Sequence, residues 1–277
     1  DSYTTFKSAL LAPPECFFFN KATSSTQFAG RLNSTWLLSP APGSTPSTAA
    51  ECRSTTTGTL VDINGRAQVN GSGALTKYLL EASIAIGTAA SGVRSHTLLC
   101  DRLSHLGGLD GTVATAQTTN LPTVALTRYT TGAGVWIGLE IYTAVGSTGT
   151  TVTASYTNQA GTAGRTTEST VFGGSGFSYA NRVIVLPLQA GDTGARSVES
   201  VTLAGTTGTV GNFGVTLFKP LALYPTFAGP GVPEVYNGLI GQCGTIPAVE
   251  DDACLWVTQI NDGGGSAGNM VGSLVFA

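Results

Sequence analysis

The chain has 277 residues, and only 10% of them are charged, against about 25% in ordinary soluble domains. Its formal net charge is −3 and its lysines and arginines form no cluster, which excludes a surface that binds nucleic acid through the phosphates. No apolar run reaches the roughly 20 residues of a membrane-spanning helix, so neither nucleic acid nor a membrane is an expected partner.

A surface this poor in charge favours a subunit that packs against other proteins, because interspersed charges keep soluble monomers apart. The cysteines are odd in number, widely spaced and without a C-x-x-C pair, so a disulfide framework is not expected. We expect free thiols that pack as small apolar side chains, and the spacing leaves a bridge between Cys243 and Cys254 open. The five cysteines are Cys16, Cys52, Cys100, Cys243 and Cys254.

The first segment, residues 1–76, predicts a helix, an arm and a polar connection. Ser2 precedes apolar residues at helical spacing and a Pro-Pro pair follows them, which predicts one short N-terminal helix. Two apolar runs between residues 15 and 38 favour a hairpin or an extended arm. The stretch from Ser39 to Thr59 is rich in Pro, Ser, Thr and Gly, so we expect contact with another chain to order it. Two Asn-Gly dipeptides beyond it predict turns.

The second segment, residues 77–224, consists mainly of short runs of β-branched and aromatic residues bounded by Gly, Asn or Asp. No long helical pattern separates them, so they predict a mainly β fold, an antiparallel β-sandwich of jelly-roll type. The runs are Tyr78–Ile86, Thr97–Cys100, Thr112–Thr119, Val135–Thr143, Thr150–Thr157, Arg182–Leu188, Val198–Leu203 and Phe213–Phe218.

The run Val135–Thr143 alternates between two faces, as a strand does. One face is apolar and predicted to lie in the core, whereas the other is amphipathic and predicted to form an interface. We therefore expect Leu139→Asp to disrupt folding and Glu140→Gln to leave it intact. The apolar face carries Val135, Ile137, Leu139 and Ile141, and the amphipathic face carries Trp136, Glu140 and Tyr142.

The third segment, residues 225–277, starts with four prolines and several glycines among isolated apolar residues. This composition predicts extended or looped backbone. Two apolar runs, ACLWVTQI and NMVGSLVFA, then flank a Gly-rich turn and predict a terminal β-hairpin.

One group of residues could carry chemistry, since two histidines and a cysteine are ligand types that zinc prefers. His96, Cys100, Asp101 and His105 lie close in sequence, but a fourth ligand is not evident. Cys100 with either histidine also matches a nucleophile pair by residue type, without a flanking signature. We expect no catalytic residue, no metal and no cofactor.

Several short motifs follow one another between Cys16 and Leu217. They are an aromatic-rich run leading to a strand with Trp36, a DRL-x-H turn at 101–105, TAQT at Thr115–Thr118, an LE-x-YT strand at 139–143, and a YTNQ-x-G-x-x-GR turn at 156–165. In order and spacing these motifs resemble a family of tailed-bacteriophage virion structural proteins. The resemblance implies a structural protein of the phage particle, of the capsid decoration or minor capsid kind, and it brings no catalytic residues. Within the particle we expect a place in the head.

Together these observations predict a non-enzymatic virion protein that decorates or cements the capsid through contacts between subunits. The expected partners are the major capsid protein or other virion proteins, with self-association as a trimer. Two alternatives stay open: a carbohydrate-binding receptor or adhesin module, and a hydrolase on a β-sandwich. The candidate interface residues are Phe17, Phe18, Phe19, Trp36, Trp136 and Tyr142.

Overall fold

The computed structural model describes residues 14–24, 27–63, 77–88, 93–121, 125–228, 234–237, 246–262 and 268–277. The predicted N-terminal helix and the two Asn-Gly turns lie outside these ranges. Within them the regular structure is β and no α-helix occurs, so the prediction of a mainly β fold is confirmed. No helix in these ranges is long and apolar enough to cross a membrane.

The strands are long and evenly patterned where the sequence is rich in β-branched and aromatic residues. In chain order they are β1 (Glu15–Ala22), β2 (Leu32–Ser34), β3 (Ala50–Glu51), β4 (Lys77–Thr88), β5 (Val93–Leu109), β6 (Gln117–Thr118), β7 (Trp136–Thr143), β8 (Thr150–Asn158), β9 (Arg165–Thr166), β10 (Thr170–Phe172), β11 (Arg182–Leu186), β12 (Ala195–Leu203), β13 (Asn212–Ala228), β14 (Glu234–Asn237), β15 (Ala248–Val249), β16 (Leu255–Asn261) and β17 (Gly268–Phe276).

A closed barrel lies at the centre of the larger, twelve-stranded sheet. The strand order runs β13-β7-β11-β2-β16-β5, and β13 also pairs with β5, which closes the ring. From β13 the sheet continues outward through β4 and β17 to β1. A second sheet of five strands has the order β10-β8-β12-β6, with β9 on β8. This strand order does not show jelly-roll connectivity.

Three apolar cores hold these layers together. The first lies between the outer face of the barrel and the second sheet, and includes Leu139, Tyr156 and Phe213. The second lies beneath β1, β17 and β4 and includes Phe17 and Phe19. The third draws on five strands of the ring and fills the barrel interior; its members are Trp36, Cys52, Leu98, Cys100, Tyr142, Val183, Phe218, Cys254 and Trp256.

The predicted terminal hairpin is wrong, and so is the hairpin form of the prediction for residues 15–38, because the strands pair with distant partners. β1 pairs with β17 and not with β2, which lies between β11 and β16. Likewise β16 pairs with β2 and β5, whereas β17 pairs with β1 and β4. Strands from all three segments, 1–76, 77–224 and 225–277, therefore meet in one sheet.

The Pro- and Ser-rich segment, which we call the strap (residues 39–62), packs on its own chain. The indole nitrogen of Trp36 donates to Ser44 O at 3.0 Å, and the Leu60 N–H donates to Leu255 O at 2.7 Å. Contact with another chain is thus not needed to place the strap, contrary to the expectation from its composition. Apart from the two-residue strand β3, the strap lacks regular structure, and backbone hydrogen bonds and the Trp36 ring hold it in place.

Candidate functional site

A buried polar group lies inside the barrel and is centred on Arg102. Its Nη1 donates to Glu140 Oε2 at 2.6 Å, its Nη2 donates to the Tyr142 hydroxyl at 3.1 Å, and its Nε donates to His105 Nδ1 at 3.2 Å. The guanidinium also lies over the Trp36 ring, 4.1 Å from the ring centroid. We call Arg102, Glu140, Tyr142 and His105 the barrel centre.

Strand geometry brings the barrel centre together. Glu140 and Tyr142 are two residues apart on β7, so their side chains share a face. On β5, a bulge lies opposite Leu217 and Phe218, and the extra residue at the bulge lets Arg102 and His105 both face inward. Neither the bulge nor the pairing of β5 with β13 and β13 with β7 is visible in the sequence.

The barrel centre is closed to solvent, with Arg102 fully buried and Glu140 1% exposed. Burial by itself lowers the pKa of Arg102, but the interactions with Glu140, and then those with Tyr142 and Cys52, together outweigh burial and raise that pKa. Burial, and then the charge of Glu140, raises the pKa of Tyr142. The group therefore holds a buried ion pair and a protonated phenol, which suits it to stabilising the barrel and not to exchanging protons with a substrate.

A second buried ion pair joins the strap to the barrel strands. Arg128 donates from Nε and Nη2 to the two carboxylate oxygens of Asp101, both at 2.9 Å, and from Nη2 to Cys52 O at 2.7 Å. Asp101 also accepts the Cys254 N–H at 3.0 Å. Burial raises the pKa of Asp101 to about 6, against the opposing effect of Arg128. The pair connects three distant parts of the chain.

The four residues of the suggested metal group are not brought together. His96 is exposed near the start of β5, whereas Cys100 lies inside the barrel. Asp101 binds Arg128, and His105 accepts from Arg102. In the described ranges no cluster of three or more His, Cys, Asp or Glu side chains could hold a metal ion. Absence of a metal from the protein stays a prediction.

Four of the six candidate interface residues are buried within the chain and cannot form a surface. Phe17 and Phe19 lie in the core beneath β1, and Trp36 and Tyr142 lie in the barrel interior. The amphipathic face predicted for β7 is likewise an interior face, because Glu140 belongs to the barrel centre. An interface can therefore use only the two exposed members, Phe18 at 81% and Trp136 at 40%.

Phe18 lies at the edge of the larger sheet. β1 ends the strand order, and within the described residues it pairs only with β17. Val271, which is 47% exposed, lies beside Phe18. Both side chains line a shallow cavity of about 380 Å³, together with small residues. We call this area the Phe18 surface; it is lined by Phe18, Phe19, Ser83, Ala85, Val271, Gly272 and Ser273. Strand alternation in the FFF run was the sequence signal that could have singled out Phe18.

Trp136 lines a separate groove of about 310 Å³, which also contains Asp192. The Asp192 carboxylate accepts from the Tyr156 hydroxyl at 2.5 Å, Asn158 Nδ2 at 2.7 Å and Arg165 Nε at 2.9 Å. The hydrogen bond from Tyr156 and then those from Arg165 and Asn158 lower the pKa of Asp192 against burial. The YTNQ-x-G-x-x-GR motif thus builds a structural turn around this carboxylate.

Sequence reasoning missed Arg102, Arg128 and Asp192 as organising residues. Each is a charged residue whose partners lie on other strands or loops. Proximity in sequence gives no sign of such pairs. The sequence offered only a weak signal for them. The chain has few charged residues, yet some of these, such as Arg102 and Glu140, lie within apolar strands.

Comparison with known proteins gives no family. No family model matches the chain, and no curated protein matches it. Among solved structures, a chain of infectious bursal disease virus strain Gt is 9% identical over 95% of this chain and 80% of that one, with a TM-score of 0.19. A chain of the infectious bursal disease virus VP2 subviral particle is 10% identical over 99% and 86%, also with a TM-score of 0.19. Values this low establish neither a shared fold nor a shared role.

Proposed function

We propose that this protein is a non-enzymatic structural component of a tailed-phage virion, and that it attaches to other virion subunits through the Phe18 surface. The observation that carries the proposal is that Phe18, an aromatic side chain that is 81% exposed, lies on the edge strand β1 of the twelve-stranded sheet. The sequence motifs that resemble phage virion proteins supply the virion context. The expected neighbour is the major capsid protein, and the expected self-association is a trimer.

Within the described residues the strap covers β1 at Lys21 and Ala22, while Phe18 stays exposed. An exposed apolar edge of this kind is an unusual feature in a protein that remains alone. Proteins commonly protect such edges with charged side chains, prolines or bulges. The outward side chains of β1 are Cys16, Phe18 and Asn20, none of which is charged. An edge of this kind suits addition of a strand from a neighbour, whose main chain supplies hydrogen bonds while Phe18 supplies apolar contact.

The chemistry of the described residues supports a non-enzymatic role. The barrel centre is buried and internally paired, and Asp101 and Asp192 are bound by arginines. These charged groups have structural partners, and of the three only Asp192 lines a groove in the described part of the chain, where its carboxylate accepts from Tyr156, Asn158 and Arg165. A charge-poor exterior also lacks the field that steers charged substrates.

Point substitution at the Phe18 surface tests the proposal. Deleting residues 1–38 would be unsuitable, because it removes β1 and β2 from the sheet. Phe18→Ser is therefore compared with Val210→Ser, since Val210 is also exposed, at 55%, but lies outside β1. Both variants are expected to fold as wild type by circular dichroism. Co-sedimentation with capsids assembled without this protein is expected to fall at least tenfold for Phe18→Ser only.

Two results would contradict the proposal. Equal co-sedimentation of both variants with wild type would remove the Phe18 surface as the attachment site. Absence of binding by the wild-type protein to capsids, and to tails and necks prepared in the same way, would remove the virion role itself.

A second candidate, carbohydrate binding, is favoured by one observation. The groove beside Trp136 places a half-exposed indole next to a carboxylate, as sites for sugars often do. A glycan array probed with wild type and Trp136→Ala tests it. Binding that is lost in the variant would support this function, and an array without bound glycan would reject it.

A further inference from the structure

Two buried cysteines meet at the side of strand β5. The Cys52 N–H donates to Leu103 O at 2.9 Å, and the Arg102 N–H donates to Cys254 O at 2.9 Å. Because Arg102 and Leu103 are consecutive, Cys52 and Cys254 occupy neighbouring places along the same edge of β5. β16 begins there, at Leu255 opposite Asp101, and β3 of the strap pairs with the next part of the same edge, at Ser104 and His105.

The side chains of this pair also belong to one core. Both cysteines are fully buried in the barrel interior, among the members of the third core. Cys100 belongs to the same core, but its thiol is directed to Leu98 O, at 3.9 Å. Cys16 is exposed on β1. The strand geometry thus selects one pair from among the described cysteines.

We infer that Cys52 and Cys254 are a disulfide-forming pair, and that their oxidation by a low-molecular-weight disulfide fastens the strap to β16. This inference goes beyond the proposed function and does not depend on it. The thiolate of one cysteine attacks the small disulfide, forming a mixed disulfide and releasing one small thiol. The second thiolate then attacks the protein-bound sulfur and releases the other small thiol. Two protein thiols are oxidised and one small disulfide is reduced to two thiols.

The surroundings make the two cysteines unequal. Burial alone raises the pKa of Cys52, but hydrogen bonds with Cys254 and His105 and the positive charge of Arg102 outweigh it and lower that pKa well below its ordinary value. Burial, and then the interactions with Cys52, raise the pKa of Cys254. The folded environment thus favours the thiolate of Cys52 over that of Cys254. Since both sulfurs are enclosed, exchange takes place during folding or local opening of the strap.

Peptide mapping of the full-length wild-type protein tests the inference. The protein is refolded at pH 8 with reduced and oxidised glutathione, quenched with acid, and alkylated in denaturant. Trypsin places Cys52 in the peptide 32–53, which contains no Asp, and further cleavage before Asp251 separates Cys254 from Cys243. We expect the 32–53 peptide to be joined to the peptide containing Cys254, while Cys16 and Cys100 are alkylated.

Thermal melts supply an independent readout. A disulfide that closes so long a loop is expected to raise the midpoint of the oxidised protein by about 5–10 °C over the reduced protein. Cys52→Ala should abolish both the cross-link and this difference, whereas the matched core variant Cys100→Ala should keep them. Alkylation of both Cys52 and Cys254 after refolding in the glutathione buffer, or a cross-link to a different cysteine, would overturn the inference.

Discussion

The barrel interior and the layer between the barrel and the second sheet are both buried, yet they are built from different chemistry. The layer is apolar throughout its core, with Leu139, Tyr156 and Phe213 among its members. The barrel interior mixes aromatic rings with the Arg102–Glu140 ion pair. An apolar layer tolerates small shifts in packing, whereas a buried ion pair requires both partners and their hydrogen bonds.

Strand β7 belongs to both regions, since Leu139 faces the apolar layer and Glu140 faces the barrel interior. Alternation of apolar and polar residues on a strand ordinarily indicates one buried and one solvated face. Here the polar face is buried as well, because Arg102 on β5 and Thr216 on β13 bind Glu140. The pattern within one strand therefore cannot show whether its polar face meets water or a partner strand.

Removing one member of the ion pair should produce the largest effect. Arg102→Met leaves Glu140 buried without its cation, which we expect to lower the free energy of unfolding by about 3–5 kcal/mol. The double variant Arg102→Met/Glu140→Gln should regain a large part of this loss, because no uncompensated charge remains. Urea unfolding measures both. Equal stability of the single and double variants would show that the charge pairing contributes nothing.

Glu140→Gln alone is expected to destabilise the protein for the same reason, contrary to the expectation from strand alternation. The variant keeps the shape of the side chain but leaves the Arg102 guanidinium without a counter-charge. Its loss should approach that of Arg102→Met in the same urea titration.

Truncation in the apolar layer should follow in size. Leu139→Ala removes a fully buried side chain and should cost about 2–4 kcal/mol, through lost burial and the cavity left behind. Val171→Ala, at a half-exposed position of β10, is the matched control and should change stability by less than about 0.5 kcal/mol. Similar losses in both variants would contradict the burial assigned to this layer.

A smaller loss of stability is expected from a substitution on β13, the strand that borders both the barrel interior and the apolar layer. A Cβ on Gly214 would collide with the carbonyl oxygen of Leu106 and lie 2.6 Å from the Cα of Gly107. Gly214→Ala should therefore force β13 away from β5 and cost about 1–3 kcal/mol. Gly149→Ala, with no atom within 4 Å of the added methyl group, is the control. A Gly214→Ala protein as stable as the control would mean that the two strands are less closely packed.

Local patterns predicted the strands of this fold better than its connections. β8 and the second half of β12 were predicted from runs of β-branched and aromatic residues. β8 alternates strictly between buried and half-buried residues, whereas register shifts interrupt the alternation in β12. The run Thr112–Thr119 was wrong over most of its length. Only Gln117–Thr118 is a strand, since the side chains of Gln117 and Asp110 bind the loop backbone before it.

The pairing of distant strands lay beyond any local pattern. β1 and β17 come from opposite ends of the chain, and nothing in the sequence of either strand indicates that the two pair. Candidate site residues were misjudged for the same reason. The aromatic residues Trp36 and Tyr142 suggested a surface, yet they fill a barrel whose closure depends on the pairing of β5 with β13.

The smallest effect on stability is expected at Lys21, a buried charge outside both regions, where the strap contacts β1. Its ammonium donates to Pro40 O at 3.1 Å and Ala41 O at 2.9 Å, and burial lowers its pKa to about 8, against a weaker opposing effect of Cys254. Between pH 8 and 10.5 the folded protein loses this proton while the unfolded chain keeps it, so the contribution of Lys21 to stability rises with pH in this window and is constant below it. Lys21→Met removes the titration.

The free energy of unfolding of wild type minus that of Lys21→Met should therefore increase from pH 8 to pH 10 in urea titrations, with pH 7 as the reference. A difference that stays flat, or falls, across this range would show that the ammonium is as well solvated in the folded protein as in the unfolded chain.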